Sequence, residues 1–397
     1  MGGSDSVEVY LLEGARTPFG TLGGSLSTQT ATQLGSIASL EALNRAGVDG
    51  TDIDNVVFGS VIQSFNGAAY LARHVALTAG VPQEIPALTV NRLCGSGLQS
   101  VVTAAKDIQT GDSDIALTGG AESMSLTPYL LRKARFGMRM GDTTAVDMLD
   151  EILTDSYTGL PMGVTAENLA KQYEISRDDQ DAFAVLSHKR AAEARSSGRF
   201  AQEIAPVSVK TRKGETIVSE DEHIREDSSV EKLAKLRPVF QADGTVTAGN
   251  ASGINDGAAA LVIASDTVVR VKQLKPMARI VSHAVVGVDP AYMGIGPVPA
   301  VKAALNKANL RIKDIDLWEI NEAFAAQYLS VERELELPRD RTNVHGGAVA
   351  LGHPVGASGA RLLLTLAYEL RLRNQRYGVA SLCIGGGQGI AMVIEAV

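Results

Sequence analysis

The sequence predicts an α/β fold built from two similar halves, with a loop-rich segment inserted between them. Three observations predict it. Strand-like apolar runs alternate with helix-like ones, the pattern of βαβ units around a mainly parallel, buried sheet. Ala42-Leu-Asn-Arg-Ala-Gly-Val-Asp-Gly-Thr-Asp-Ile-Asp54 recurs as Ala304-Leu-Asn-Lys-Ala-Asn-Leu-Arg-Ile-Lys-Asp-Ile-Asp316, an offset of 262 residues (42 to 304). The same offset carries Cys94-Gly-Ser-Gly97 onto Gly356-Ala-Ser-Gly359, and two matches in one register argue for duplication.

Each half should run helix, Asp-Ile-Asp turn, strand, Ser-Gly turn, long helix, strand, glycine turn. In the first half the long helix is expected over Leu98 to Gln109 and the strand at Ile115 to Thr118. In the second half the helix is expected over Ala360 to Arg373 and the strand over Gly378 to Cys383. A pseudo-twofold axis would then bring the Cys94 loop and the His353 loop to equivalent places. The boundaries implied are 1–120 for the first half, completed by a strand region near 245–270, 121–250 for the insertion, and 271–397 for the second half.

Within the insertion, Ser123 to Met140 reads as an irregular excursion. Thr165 with Asn168 has an imperfect capping-box spacing and reads as a helix start. Ser176 reads as the cap of a helix continuing to Arg195. Positions 189–213 hold seven Lys/Arg against two Glu. That stretch is either a solvated helix and loop or a local attraction for a phosphorylated ligand. Small residues from Thr245 to Ala260 would let a ligand lie against backbone, ahead of a strand at Leu261 to Ala264.

The totals exclude several classes. A length of 397 residues is two to three domains' worth. A net charge of −8 argues against nucleic-acid binding. No apolar run reaches the ~18 residues of a membrane span. Two cysteines make no disulfide framework and suggest a reducing, cytoplasmic setting. Met-Gly-Gly-Ser-Asp-Ser matches a loose myristoylation pattern but reads as an ordinary terminus, and the closing Ile-Glu-Ala-Val is no peroxisomal address.

Two glycine-rich loops carry the chemistry. Cys94 precedes a helix, where unpaired amides and the helix dipole should lower a thiol pKa and make a nucleophile. A small buried core residue is the bland reading of the same cysteine. His353, on a separate loop, could take the thiol proton. Cys383, at the Ile-Gly-Gly-Gly-Gln-Gly389 turn, could act as an acid/base, since a thiol's ordinary pKa of ~8.5 is within reach of neutral. The turn amides after it could hold an oxyanion. Zinc would need closely spaced ligands that Cys94, His353 and Cys383 do not provide.

Cys94-Gly-Ser-Gly, Asn321-Glu-Ala-Phe-Ala325, Gly352-His-Pro-Val-Gly-Ala-Ser-Gly359 and Cys383-Ile-Gly-Gly-Gly-Gln-Gly389 together resemble the thiolases. The resemblance runs from Ala15-Arg-Thr-Pro-Phe-Gly20 to Gly389 and is nearest to acetyl-CoA acetyltransferases and 3-ketoacyl-CoA thiolases. It implies a five-layered α-β-α-β-α arrangement of the duplicated halves. It implies Cys94 as the acylated nucleophile, His353 as its base and Cys383 as the group that moves the C2 proton of acetyl-CoA. Asn321 would hold a water that, with His353, stabilises the enolate oxygen. The amides of Cys94 and Gly385 would form a second oxyanion hole. No cofactor or metal is implied; coenzyme A and acyl-CoA are substrates. For coenzyme A the resemblance implies Leu153, Met162, Arg225, Phe240, Ala248, Ser252, Met293, Ala323 and Phe324, with Arg225 at the nucleotide end and Ser252 on the pantetheine. The 123–140 excursion would form a homotetramer, a dimer of dimers.

Two departures stand out. Pro161-Met-Gly replaces the His-Met-Gly of short-chain members, and Lys232 replaces a small polar residue near the adenine. The competing readings are a ketosynthase-like decarboxylating condenser, which would use a second histidine where this chain has Cys383, and a non-catalytic acyl-CoA or lipid carrier.

Overall fold

The duplication is visible element by element in the computed structural model, which describes residues 7–212 and 214–397. The Met-Gly-Gly-Ser-Asp-Ser opening and Lys213 lie outside the described residues. The main elements are β1 (Val9–Arg16), α1 (Ala31–Ala46), β2 (Asn55–Gly59), α2 (Leu71–Thr78), β3 (Ala87–Val90), α3 (Ser96–Thr110) and β4 (Ile115–Ser123). The insertion contributes α4 (Met148–Ile152), α5 (Met162–Gln172) and α6 (Arg177–Ser196). There follow β5 (Asn255–Ser265), β6 (Ala278–Gly287), α7 (Pro297–Ala308), β7 (Leu317–Ile320), α8 (Ala325–Leu335), α9 (Ser358–Arg373), β8 (Tyr377–Ile384) and β9 (Gln388–Ala396). The starts of β2 and β7, of α3 and α9, and of β4 and β8 all differ by the 262 residues of the sequence repeat.

The strands run in the order β7-β8-β9-β6-β1-β5-β4-β2-β3, and the short Gly20–Thr21 strand pairs with β5. The expected mainly parallel sheet is not found. Parallel pairing is confined to the two outer edges, β3-β2-β4 and β7-β8, and every pair between them is antiparallel. The physical reason is connection length. β8 returns as β9 through the tight Gly385–Gly387 turn, and short turns join only antiparallel strands. β5 enters from the long insertion between β1 and β4 and runs against both.

The layers follow from burial. α3 and α9 share one core with the inner faces of both half-sheets. Thirteen of the sixteen residues of α9 are buried, as a helix covered on all sides requires. Helices α1 and α2 cover the outer face of the first half, and α7 and α8 that of the second. The result is the five-layered α-β-α-β-α stack. Among the described residues the half-sheets are joined in register through Tyr10↔Arg279 and Leu11↔Ala278.

In the insertion, Ser176 does cap α6, its hydroxyl taking the Asp179 amide. Thr165 does not start a helix. α5 already begins at Met162, after Pro161, and the Thr165 hydroxyl donates to the Met162 carbonyl at 2.6 Å. Proline pre-sets the extended conformation that a helix entry needs, so the start lies earlier. Three of the seven basic residues of the 189–213 run are engaged in structure. Arg190 donates to the Thr342, Asn343 and Arg339 carbonyls, Arg195 pairs with Glu226 and Glu220, and Arg199 pairs with Glu203 and Glu369. Arg190 and Arg199 thereby fasten the insertion to the second half, while Arg195 is paired within the insertion. The excursion exposes Phe136, Met138 and Met140. Among the described residues no helix is long and apolar enough to cross a membrane.

α3 and α9 cross where neither can carry a side chain. A Cβ on Gly97 would lie 2.7 Å from the Ala360 nitrogen, and one on Gly359 would lie 2.3 Å from the Leu98 nitrogen. These glycines occupy equivalent positions in the repeat. In an open helix alanine is favoured over glycine by about 1 kcal/mol. Here Gly359→Ala should instead destabilise by about 1–3 kcal/mol, because backbone must move. Thermal unfolding of the two proteins checks it, and an unchanged or raised midpoint refutes the close crossing.

Candidate active site

The crossing brings both glycine-rich loops to one place. Leu93 is held at φ 47°, a left-handed conformation that costs a bulky residue energy. Its strain turns the chain so that Cys94 faces a cavity just before α3 begins at Ser96. His353 reaches the same cavity from the loop before α9. Cys94 is half-buried and Cys383 fully buried. Cys383 lies behind the cavity wall, packed with Met162, Met293, Ala323 and Phe324.

His353 is fixed from three sides. Its backbone amide donates to Asn255 Oδ1 at 2.9 Å, and Asn255 Nδ2 donates to the Gly20 carbonyl at 2.9 Å. Its Nδ1 lies 2.6 Å from Ser358 Oγ. Ser358 gives its own proton to the Pro354 carbonyl at 3.0 Å, so it accepts from Nδ1–H. That assigns the lone pair to Nε2, which lies 3.4 Å from Asn321 Nδ2. Burial, and secondly the Arg361 charge, hold the ring down to about 4, so it is a neutral base. Asn321 Oδ1 is buried and has no partner among the described residues, which leaves it free to hold a water.

The thiols depart from expectation. Burial pushes Cys94 up, against the amides of Gly385 and of Cys94 itself, which draw it down. The pull of these amides is smaller than desolvation, so the resting group is a thiol. Cys383 is pushed well up, first by burial and then by the charge of Cys94. Its pKa is not within reach of neutral in the resting site.

The cavity measures about 400 Å³. Of the expected contacts, Leu153, Met162, Phe240, Ala248, Ser252, Met293, Ala323 and Phe324 line it with Cys94 and His353. The 250–252 and 323–325 segments pair antiparallel, with Ser252 N donating to the Ala323 carbonyl at 2.9 Å and Ala325 N to the Asn250 carbonyl at 2.8 Å. That pairing sets Ser252 beside Ala323 and Phe324. Arg225 is not brought in. It is exposed, and its backbone amide donates to His188 Nδ1 at 3.1 Å. Lys232 is exposed and paired with Asp227. Pro161 lines the cavity. Sequence reasoning missed Met124, Ile254 and Val355, an apolar cluster beside Cys94, and missed Ser358 and Asn255. Ser358 lay within the repeated Ser-Gly turn, where it read only as a turn residue. Among the described residues no group of three or more His, Cys, Asp or Glu could hold a metal.

A duplicated α/β fold with a thiol, a neutral imidazole and converging backbone amides at one apolar cavity defines an acyltransferase. Comparison with known proteins agrees. The thiolase N-terminal domain model matches residues 9–267 and the thiolase C-terminal domain model matches residues 274–396. The chain is 51% identical over 389 residues to a human protein named 3-ketoacyl-CoA thiolase, mitochondrial, covering 98% of each. It is 50% identical over 391 residues to beta-ketothiolase BktB of Cupriavidus necator, covering 98% of this chain and 99% of that one. The crystal structure of human mitochondrial 3-ketoacyl-CoA thiolase in complex with CoA superposes with a TM-score of 0.96 at 50% identity, covering 98% of each chain. The chain belongs to the thiolase family.

The ring environment generates a pH prediction. Because the folded chain holds His353 near 4 and the unfolded chain near the ordinary ~6.5, the unfolded state binds the proton more tightly. This group therefore costs stability progressively as pH falls from about 6.5 towards about 4, and costs nothing above. Nitrogen NMR of the labelled protein at pH 6 should show His353 neutral with its proton on Nδ1. A proton on Nε2, or titration near 6.5, overturns the assignment.

Proposed function

We propose that this chain transfers acyl groups between coenzyme A and acetyl-CoA through a thioester on Cys94. One direction is thiolysis of a 3-ketoacyl-CoA, and the other is condensation of two acetyl-CoA to acetoacetyl-CoA with release of coenzyme A. The observation that carries the reading is that Cys94 and the neutral imidazole of His353 line one apolar cavity, with the Gly385 amide drawing on the Cys94 thiol. A relative solved with CoA supports coenzyme A as the ligand of that cavity.

His353 takes the Cys94 proton as sulfur attacks the thioester carbon. The Cys94 and Gly385 amides face the developing oxyanion, and His353 returns the proton to the departing coenzyme A sulfur. Cys383 gives up its thiol proton to solvent, and its thiolate then takes a C2 proton from a second acetyl-CoA. The acetyl-CoA carbon bonds to the Cys94 acyl carbon, the bond from that carbon to sulfur breaks, and the leaving Cys94 thiolate takes up a proton from solvent. Burial holds the Cys383 thiol well up, and an ionised Cys94 would push it further. Acylation prevents Cys94 from ionising, which removes the second of the two causes and leaves burial as the first. Asn321, with its unpartnered Oδ1, would hold the water that meets the enolate oxygen. Ser252, Phe324 and Leu153 would line the pantetheine, and Arg225 would reach the nucleotide from outside the cavity.

Mass spectrometry after incubation with acetyl-CoA should find one acetyl group, on the Cys94 peptide. Cys383→Ser should still acetylate there but lose C2–hydrogen exchange with deuterated water by roughly 10²- to 10⁴-fold. Label on Cys383 alone, or undiminished exchange in that variant, would sink the assignment of roles.

Chain length is read from the wall. Met124, Ile254 and Val355 give Cys94 apolar surroundings, and Pro161 adds a ring with no donor where an imidazole could stand. Each buried CH₂ contributes about 0.8 kcal/mol, so two add ~1.6 kcal/mol, roughly tenfold in kcat/KM. The enzyme should cleave 3-ketohexanoyl-CoA as well as acetoacetyl-CoA, and Pro161→His should shift preference towards the shorter substrate. A ratio of the two activities unmoved by Pro161→His would refute the role of Pro161.

A further inference from the structure

Glu122 ends the most buried part of β4, with no exposed surface. Its carboxylate accepts from the Val61 amide at 3.0 Å and the Ile62 amide at 2.9 Å, in the segment after β2. It also accepts from the Gly356 amide at 2.9 Å, in the loop that carries His353. Val61 and Ile62 belong to the apolar cluster that packs Cys94. One carboxylate therefore ties the wall behind Cys94 to the loop of its candidate base. The contact is close: a Cβ on Gly356 would lie 2.6 Å from Glu122 Oε2, and one on Gly120 would lie 1.9 Å from the Gly356 carbonyl.

The repeat gives this contact a meaning. Gly356 stands where Cys94 stands in the other half, 262 residues earlier. In the first half, the Cys94 amide acts on its own thiol, beside the Gly385 amide. In the second half, the equivalent amide is given to Glu122. The residue equivalent to Glu122 is Ile384, an apolar side chain that packs on Gly95. An internal carboxyl thus fills one copy of a loop whose other copy is left for the substrate.

We propose that Glu122 is a positioning residue for acyl transfer, holding the His353 loop in register with Cys94 across the two halves. This rests on the reading of Cys94 and His353 as nucleophile and base. Glu122 touches no coenzyme A wall, so it should act on turnover and not on coenzyme A binding. Burial pushes the Glu122 carboxyl up to about 8, against the pull of the three amides, and once ionised it faces Asp256 and Cys94 and is one of the causes holding the Cys94 thiol up. Loss of the charge should therefore make the thiol more acidic while making it less productive. A merely structural residue would not separate those two effects.

The test uses the full chain with Glu122→Gln and Glu122→Asp, assayed in acetoacetyl-CoA thiolysis, together with the pH dependence of Cys94 alkylation by iodoacetamide. A misplacement of about 1 Å can cost roughly 10²-fold. Glu122→Gln should lose on the order of 10- to 100-fold in kcat, keep KM for coenzyme A within about twofold, and move the alkylation midpoint down. Glu122→Asp should lose kcat, on the order of 10-fold, without moving the midpoint, because it keeps the charge and shortens the tie. A Glu122→Gln enzyme with kcat within about twofold of the parent, or with kcat lost and the midpoint unmoved, overturns the proposal. Should Glu122→Gln not fold, an undiminished kcat in Glu122→Asp overturns it instead. Activity of the parent tests the reading of the site separately.

Discussion

Everything in the site depends on how closely two helices can approach. α3 and α9 cross through Gly97 and Gly359, where a Cβ would meet backbone nitrogen at 2.7 Å and 2.3 Å. Backbone contact of this kind leaves no slack for side-chain repacking. The crossing lies at the helix starts, and Cys94 and His353 stand just ahead of those starts. Fixing the crossing therefore fixes the separation of thiol and imidazole, although they come from opposite halves of the chain. The middle layer of the fold is the frame of the site.

Much of this was legible in the sequence because it rests on local residue types. The repeat could be read because helix, Asp-Ile-Asp turn and Ser-Gly turn recur at one offset, and the elements keep that offset. The cavity residues from Leu153 to Phe324 were legible only through the family's motifs, since nothing in their own spacing brings 153, 252 and 324 together. Strand direction was not legible. Alternating helices and strands suggest parallel pairing, but β5 arrives from the insertion and β9 from a tight turn, and neither fact is written in periodicity. Thr165 misled because an imperfect cap spacing competes poorly with a proline that sets the helix entry earlier. The supports of His353 were also hidden. Asn255 and Ser358 are short polar residues in glycine-rich turns, and what they hold is decided by partners distant in the chain.

Protonation was the least legible property, because burial is tertiary. A thiol before a helix suggests a thiolate, yet desolvation outweighs the amides and leaves Cys94 protonated. The same burial keeps His353 unprotonated. The two shifts are complementary. A neutral thiol facing a neutral imidazole buries no charge, and so costs little while the site is empty. Charge appears only when the proton moves, and at that moment the amides that were too weak to ionise the resting thiol have an oxyanion to hold. A site that stays neutral at rest can be both dry and reactive.

Duplication makes that economy possible, and the halves have diverged to use it. Two equivalent loops begin as two equivalent sets of converging amides. In one, Cys94 occupies the turn and Ile384 lies where an acceptor could have stood, so the amides remain open. In the other, Gly356 occupies the turn, and Glu122 takes its amide together with those of Val61 and Ile62. An open nest of amides attracts any anion. Two such nests a short distance apart would compete for one substrate oxygen and leave a buried amide unpaired whenever the second was empty. Filling one with a residue of the chain removes the competitor and satisfies the buried donors. It also turns the spare copy into the tie that keeps the working copy and its histidine aligned.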